Sequence, residues 1–280
     1  MGNGEVVDDM IKDGLSDVYS DNGTIISREQ QDEYSIQSYE SHSGNQCRRL
    51  PVGDGSGGSW RQREAKCYRA KADGVDILDA AKLRKLRPAF KEGGTVTAGN
   101  ASSISDGAAP LVLVSGKYAL EKRLTVFAKV RGYADAEQSP ELFTTFPALA
   151  IPKAVKRVGI DASQVDFCEI NKALSVVALA NQKLLGLDSA KVNVHGGAVS
   201  LGHPLGCSGA RIIVTLLGVL KAKQGTYGVA GVCNGGGGVS ALVVELTPTF
   251  AASHLPRTIR RYKRKKLLAL FRLVCLPVRA

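Results

Sequence analysis

The chain's 280 residues, 44% hydrophobic and 22% charged, suffice for one large domain or two small ones with a sizeable core, and no apolar run is long enough to span a bilayer. Six cysteines without regular spacing make no disulfide framework, so the free thiols of a cytoplasmic protein are expected, and the acidic start MGNGEVVDDMIKDG is neither a secretory signal nor a basic transit peptide. The net charge of +11 is concentrated in two stretches: residues 248–280 hold nine Lys or Arg and no acid, residues 41–72 hold seven against two acids, and the rest is slightly acidic. That distribution argues against a nucleic-acid-binding body and against a membrane protein.

In chain order, Ser27-Arg28-Glu29-Gln30 reads as a capping box opening a helix that runs to about Glu40. Residues 41–72 show neither helical nor strand period and read as a loop or linker. A helix is expected over 79–87, then a turn at Gly93-Gly94 and a strand-like run at 95–97. Strands are expected at 111–114 and 126–130, with a helix at 118–123 between them. Over 140–159, Leu142, Leu149, Ile151, Val155 and Val158 fall on helical spacing. A strand at 165–170, an apolar helix at 173–185 and a helix at 208–220 follow. Two apolar strands, 227–233 and 239–246, are joined by a tetraglycine turn. Strands alternating with helices predict an α/β fold, a mixed sheet covered by helices.

Two loops carry the candidate chemistry. His203 is held between Gly202 and Pro204, and Cys233 meets Gly235–Gly238 at the end of an apolar strand. Glycines let a substrate approach the main chain and leave amides to donate to a developing oxyanion. A cysteine there acts as base or nucleophile if a neighbour lowers its pKa, and His203 is the natural neighbour. Taken one at a time, each loop is equally well read as structure: a buried small hydrophobe and a hairpin turn.

The wording of the pair is more specific. GGAVSLGHPLGCSGAR (196–211) and CNGGGGVSALVVEL (233–246) resemble the two C-terminal signatures of the thiolase family, nearest the cytosolic acetyl-CoA acetyltransferase subtype. KLRKLRPAFKEGGTVTAGNASSISDGAA, VRGYADA, SPELFTTFPALAIPKAVKR and ALANQKLLGLD support it, and the likeness covers roughly residues 5–39 and 76–246. The resemblance implies a thiolase-like fold, keeping the C-terminal half and the end of the N-terminal half. It divides the chain into a remnant of the middle and loop region (1–75), the end of the N-terminal domain (76–125), the C-terminal domain (126–246) and a divergent basic tail (247–280).

It also implies Claisen condensation of two acetyl-CoA to acetoacetyl-CoA, or the reverse thiolysis, with no covalently bound cofactor and a place in isoprenoid-precursor or lipid metabolism. Carried over, Cys233 moves the α-proton, His203 activates the nucleophile and donates to a thioester oxygen, Asn171 holds the water completing that oxyanion site, and the Gly235 amide serves the other. Ser102 contacts the CoA pantetheine, and Lys82 lies near its adenine end. In the subtype that binds potassium, Ala98, Gly99, Ala101 and Val199 fall at the matching main-chain positions. A thiolase-like homo-oligomer or a full-length subunit is the implied partner.

The chain departs from the family at several points. The family nucleophile lies in a Cys-Ala-Ser-Gly-like segment, and none of Cys47, Cys67, Cys168, Cys207, Cys233 and Cys275 has that setting; Cys207 is a weak surrogate. The expectation is therefore a chain without turnover, or a CoA-binding or heteromeric subunit. The family's Asn-Glu-Ala-Phe appears as Asn171-Lys172-Ala173-Leu174, which reverses a charge beside the pocket. Stretches 41–72 and 247–280 match no family wording; frame errors or intron sequence account for them, or a basic tail able to lie on an anionic membrane or bind RNA.

Overall fold

A computed structural model describes residues 26–44, 78–90, 92–171, 173–247 and the strand at 268–271. The expected linker beyond residue 44, Lys172, Cys47, Cys67, Cys275 and most of the basic tail lie outside the described residues.

Helix α1 spans Arg28–Gly44 and starts as its capping box predicts: Ser27 Oγ accepts from Gln30 N (3.3 Å), and Gln30 Oε1 accepts from Ser27 N (2.8 Å). It outruns the expected end at Glu40, so 41–44 belong to the helix rather than the linker. Its inward stripe is polar: Gln31, Asp32, Ser35 and Ser38 are all buried. Each makes a hydrogen bond across the interface, Gln31 Nε2 to Thr95 (2.9 Å), Asp32 from Asn100 (2.9 Å), Ser35 with Ser175 (2.7 Å) and Ser38 to the Gly196 carbonyl (2.7 Å).

Helix α2 is only Ala80–Leu83, with Asp79 as its N-cap accepting from the amides of Ala81 and Lys82. The expected 79–87 helix is cut short because the chain turns back so that Pro88 bridges Thr97, and a residue before proline is driven from helical geometry. Within 95–97 only Thr97 forms that bridge, and there is no regular strand. Strand β1 (Val112–Ser115), helix α3 (Gly116–Glu121) and strand β2 (Val126–Glu137) follow. A 3-10 turn, Pro140–Thr145, leads into α4 (Pro147–Val158), so the expected single helical stretch divides at Pro147. The remaining elements are β3 (Phe167–Ile170), α5 (Ser175–Leu185), α6 (Ala198–Leu201), α7 (Ser208–Lys223), β4 (Tyr227–Gly235), β5 (Gly238–Leu246) and β6 (Leu268–Phe271).

The sheet order is β1-β6-β2-β5-β4-β3. Only β3 and β4 run parallel; the other neighbours are antiparallel, giving the mixed sheet expected. Alternation along the strands feeds two cores. Val229 and Val243 join Ile151, Ala154 and Val155 of α4 and Val177 of α5 in one core. Their neighbours Ala230 and Val244 join Ile212, Leu216 and Leu220 of α7 in the other. Gly228 lets α7 close on the sheet: a Cβ there would stand 2.8 Å from Leu216.

The parallel pair positions the site. Ile170 is level with Gly231, and Asn171 N donates to Gly231 O at 2.8 Å. Asn171 therefore leaves β3 at the edge where β4 delivers Cys233. The carboxyl ends of parallel strands are where open α/β sheets bind ligands.

Candidate active site

His203 is placed by its neighbours in sequence. Gly202 holds φ +84°, and a Cβ there would lie 2.5 Å from Ser105 Oγ, so only glycine lets the 103–105 segment run alongside. The segment is pinned by His203 N donating to Ser103 O (2.8 Å) and by the bridge between Ile104 and His203. On the other side Pro204 leads into α7, whose first residue, Ser208, is buried.

The imidazole touches a partner at each nitrogen. Nε2 is 3.1 Å from Asn171 Nδ2, and Nδ1 is 2.6 Å from Ser208 Oγ. Behind them, Arg211 Nη2 donates to Asn171 Oδ1 (2.9 Å), and its Nη1 pairs with the buried Glu169 carboxylate at 3.7 Å. Burial, reinforced by the Arg211 charge, pulls the His203 pKa down to about 4, so the ring is neutral at neutral pH.

Cys233 lies two residues before the end of β4, opposite Val239 on β5. Its thiol donates to Phe143 O across 3.7 Å, and burial alone pushes it up to about 12. The expectation that His203 lowers this pKa is not met: burial raises the thiol, and a neutral imidazole supplies no positive charge to favour the thiolate. Beyond it, Gly235, Gly236 and Gly237 have φ of +81°, +57° and +94°, so the turn needs glycine for its backbone conformation.

Of the other predicted residues, Ala98, Gly99, Ala101 and Ser102 fall on one continuous segment beside these loops, while Lys82 lies in α2 and Val199 in α6. Ser102 N donates to Ala173 O (2.7 Å), Ala101 bridges Leu174, and Ser175 N donates to Asn100 O (2.9 Å), so 100–102 line the strand-to-helix turn after Asn171. Gly99 faces α2, where a Cβ would strike Leu83 at 2.7 Å; this seats α2, and with it Lys82, against the 97–100 turn. The Lys82 ammonium points outward and pairs with Asp79 at 3.3 Å. Ala98 is exposed and Val199 is buried in α6. Among the described residues no cluster of three His, Cys, Asp or Glu could hold a metal ion, so the carried-over cation positions offer main-chain oxygens only. Cys207 is the N-cap of α7, its thiol raised chiefly by burial, which argues against it as a surrogate nucleophile.

Sequence reasoning missed Ser208, Arg211 and Glu169. One signal was available: Arg211 is the single charge in a helix otherwise uncharged up to Lys221, and it sits inside the quoted histidine motif.

Known proteins share this sequence and fold. Family models of the thiolase N-terminal and C-terminal domains match residues 1–117 and 124–246. Acetyl-CoA acetyltransferase 1 of Arabidopsis thaliana is 63% identical over 263 residues, covering 88% of this chain and 62% of its own length. The cytosolic acetyl-CoA acetyltransferase of Gibberella zeae is 47% identical over 260 residues, covering 87% and 65%. The Bacillus anthracis acetyl-CoA acetyltransferase structure superposes with a TM-score of 0.70 at 35% identity, over 85% of this chain and 60% of that one. Human mitochondrial 3-ketoacyl-CoA thiolase in complex with CoA gives a TM-score of 0.67 at 27% identity, over 85% and 59%. The chain thus spans about three fifths of the length of these relatives. Two consecutive domain matches, the shared fold and the loops around His203 and Cys233 lead to one conclusion: this chain belongs to the thiolase family.

Proposed function

We propose that the chain handles the CoA thioesters of acetyl transfer, acetyl-CoA and acetoacetyl-CoA, in Claisen condensation or its reverse. The observation that carries this reading is the meeting of Asn171 and His203 at the carboxyl end of β3, beside the β4 end that bears Cys233. In the forward direction a nucleophilic thiol gives its proton to His203 and attacks the first acetyl thioester, expelling CoA. Cys233 as thiolate removes the α-proton of the second acetyl-CoA, and the enolate attacks the acyl-enzyme, forming the carbon–carbon bond and releasing the first thiol. Asn171 Nδ2, and His203 once protonated on Nε2, donate to the oxygen that becomes negative, and the Gly235 amide serves the second oxyanion.

A Cys233 thiol at about 12 is seldom ionised at neutral pH, but once ionised it is a strong base. The acyl-accepting thiol is a separate demand. No cysteine of this sequence has the family's setting, so we assign these 280 residues the proton-transfer and oxyanion half of the chemistry, with CoA-thioester binding through Ser102 and Lys82. A full-length subunit, or a second thiolase-like copy, would bring the missing thiol. A potassium ion on the carbonyls of Ala98, Gly99, Ala101 and Val199 would firm the segment next to Ser102. The Gibberella zeae relative, cytosolic by name, supports a cytosolic placement, and among the described residues no helix is long and apolar enough to cross a membrane.

The test is acetoacetyl-CoA thiolysis by the chain alone, beside equilibrium binding of acetoacetyl-CoA. Binding without steady-state turnover is expected. A folded chain that binds no CoA thioester, or turnover indifferent to Cys233→Ala and His203→Ala, overturns the reading.

A further inference from the structure

The protonation pattern of His203 is set from both edges of the ring. Arg211 can only donate, and its Nη2 stands 2.9 Å from one end of the Asn171 amide. That end must be the oxygen, so the amide N–H group faces His203 Nε2 at 3.1 Å and donates to it. Nε2 therefore carries a lone pair. At the other edge, Ser208 Oγ lies 2.6 Å from Nδ1 and 3.2 Å from the Pro204 carbonyl oxygen, which can only accept. The hydroxyl hydrogen goes to Pro204, and Oγ accepts the Nδ1 proton.

An amide can flip and a hydroxyl can rotate, so Asn171 and Ser208 by themselves choose nothing. The choice comes from the two groups behind them that have a single role, Arg211 and the Pro204 carbonyl. The first turn of α7 carries both Arg211 and Ser208, which passes on the Pro204 constraint, since the two are three residues apart and share a helix face. Glu169 and Asn171, two apart across the end of β3, meet the same guanidinium, and the Glu169 carboxylate supplies the opposite charge that a buried arginine needs.

We propose that Arg211 is a positioning residue that, through the Asn171 amide, fixes His203 with its proton on Nδ1 and its lone pair on Nε2. In that form the ring accepts a proton from a thiol, and it cannot donate to a thioester oxygen until it has done so. Proton transfer to His203 thus precedes its service to the oxyanion. This ordering rests on the thioester reading above; the tautomer itself does not.

Long-range proton–nitrogen correlation of the labelled chain at neutral pH reads the tautomer directly. The unaltered chain should show a pyridine-like Nε2 and a pyrrole-like Nδ1. Ser208→Ala should keep that pattern, because the Arg211 lock remains. Adding Arg211→Met with Glu169→Gln, which leaves no buried charge unpaired, should move Nε2 toward the pyrrole-like value. Arg211→Lys, still a pure donor, should restore the pattern in the Ser208→Ala background. If the triple variant does not fold, Ser208→Ala with Asn171→Ala removes the relay and should give the same shift. A protonated Nε2 in the unaltered chain, or an unchanged tautomer in a folded variant lacking both locks, overturns the proposal. Acetoacetyl-CoA binding on the same samples separates the two readings. Loss of binding with the expected tautomer response sinks the thioester assignment alone, and an unresponsive tautomer sinks the Arg211 assignment whatever binds.

Discussion

Asn171 Nδ2 stands 3.1 Å from His203 Nε2, although 32 positions separate the two residues in the chain. One comes from the end of a parallel strand and the other from a glycine-proline loop, so their contact exists only if β3, β4 and α7 are packed as described. It therefore reports on the fold and on the chemistry together.

The neutral His203 should make the chain acid-sensitive. An unfolded histidine titrates near 6.5 and His203 near 4. The fold thus favours the neutral ring, a stabilisation complete above pH 6.5 and lost as pH falls through 4. The shift corresponds to about 3 kcal/mol. Urea midpoints measured between pH 7 and pH 4 should fall more steeply for the unaltered chain than for His203→Gln; parallel curves would contradict the depressed pKa.

Cys233 should be a sluggish thiol. With its pKa raised by burial to about 12 from 9.0, thiolate is about a thousandfold scarcer, and the greater nucleophilicity of a more basic thiolate recovers part of that. Alkylation at pH 8, read peptide by peptide, should be roughly thirtyfold slower than for an unperturbed thiol, and its rate should still climb at pH 10. A rate plateau below pH 9 would show an activated cysteine instead.

Two glycines should respond oppositely to alanine. Gly235 sits at φ +81° with open space around its Cβ position, so Gly235→Ala should cost about 1 kcal/mol through backbone strain alone. Gly218, inside α7 and also free of close neighbours, should gain roughly 0.5–1 kcal/mol as alanine. Denaturant midpoints moving the same way for both would contradict the backbone conformations described.

The polar seam under α1 should behave as a coupled unit. Ser35 and Ser175, buried hydroxyls 2.7 Å apart, should each cost about 1 kcal/mol or more when changed singly to alanine. The double variant should cost less than the sum of the two. Strict additivity would mean that the hydroxyls do not meet.

That seam also shows what the sequence could and could not reveal. The capping box of α1 is local, four consecutive residues, and was legible. Its buried face was not, because Gln31, Asp32, Ser35 and Ser38 give no apolar period and find their hydrogen-bond partners far along the chain, at 95, 100, 175 and 196. For strand β2 the sequence marks only 126–130, because Arg131-Gly132 breaks the apolar run. In the fold the strand pairs with β5 as far as Glu137 opposite Gly238, with Tyr133 exposed and Ala134 buried, and Gly132 is where Val158 of α4 closes in. At the site, His203, Cys233 and Asn171 were legible as short motifs. The Glu169–Arg211–Asn171–His203–Ser208 chain was not, since it joins a strand residue, the residue just past that strand, a loop and a helix that no linear spacing connects.

Titration of the labelled chain with acetoacetyl-CoA, read at the ring nitrogens of His203 and at Cys233, tests most directly whether CoA-thioester chemistry belongs to these residues. A saturable change at both positions, competed by CoA and lost in Ser102→Trp, is the predicted result. Saturable binding that leaves His203 and Cys233 unmoved, or no binding by a folded chain, would contradict it.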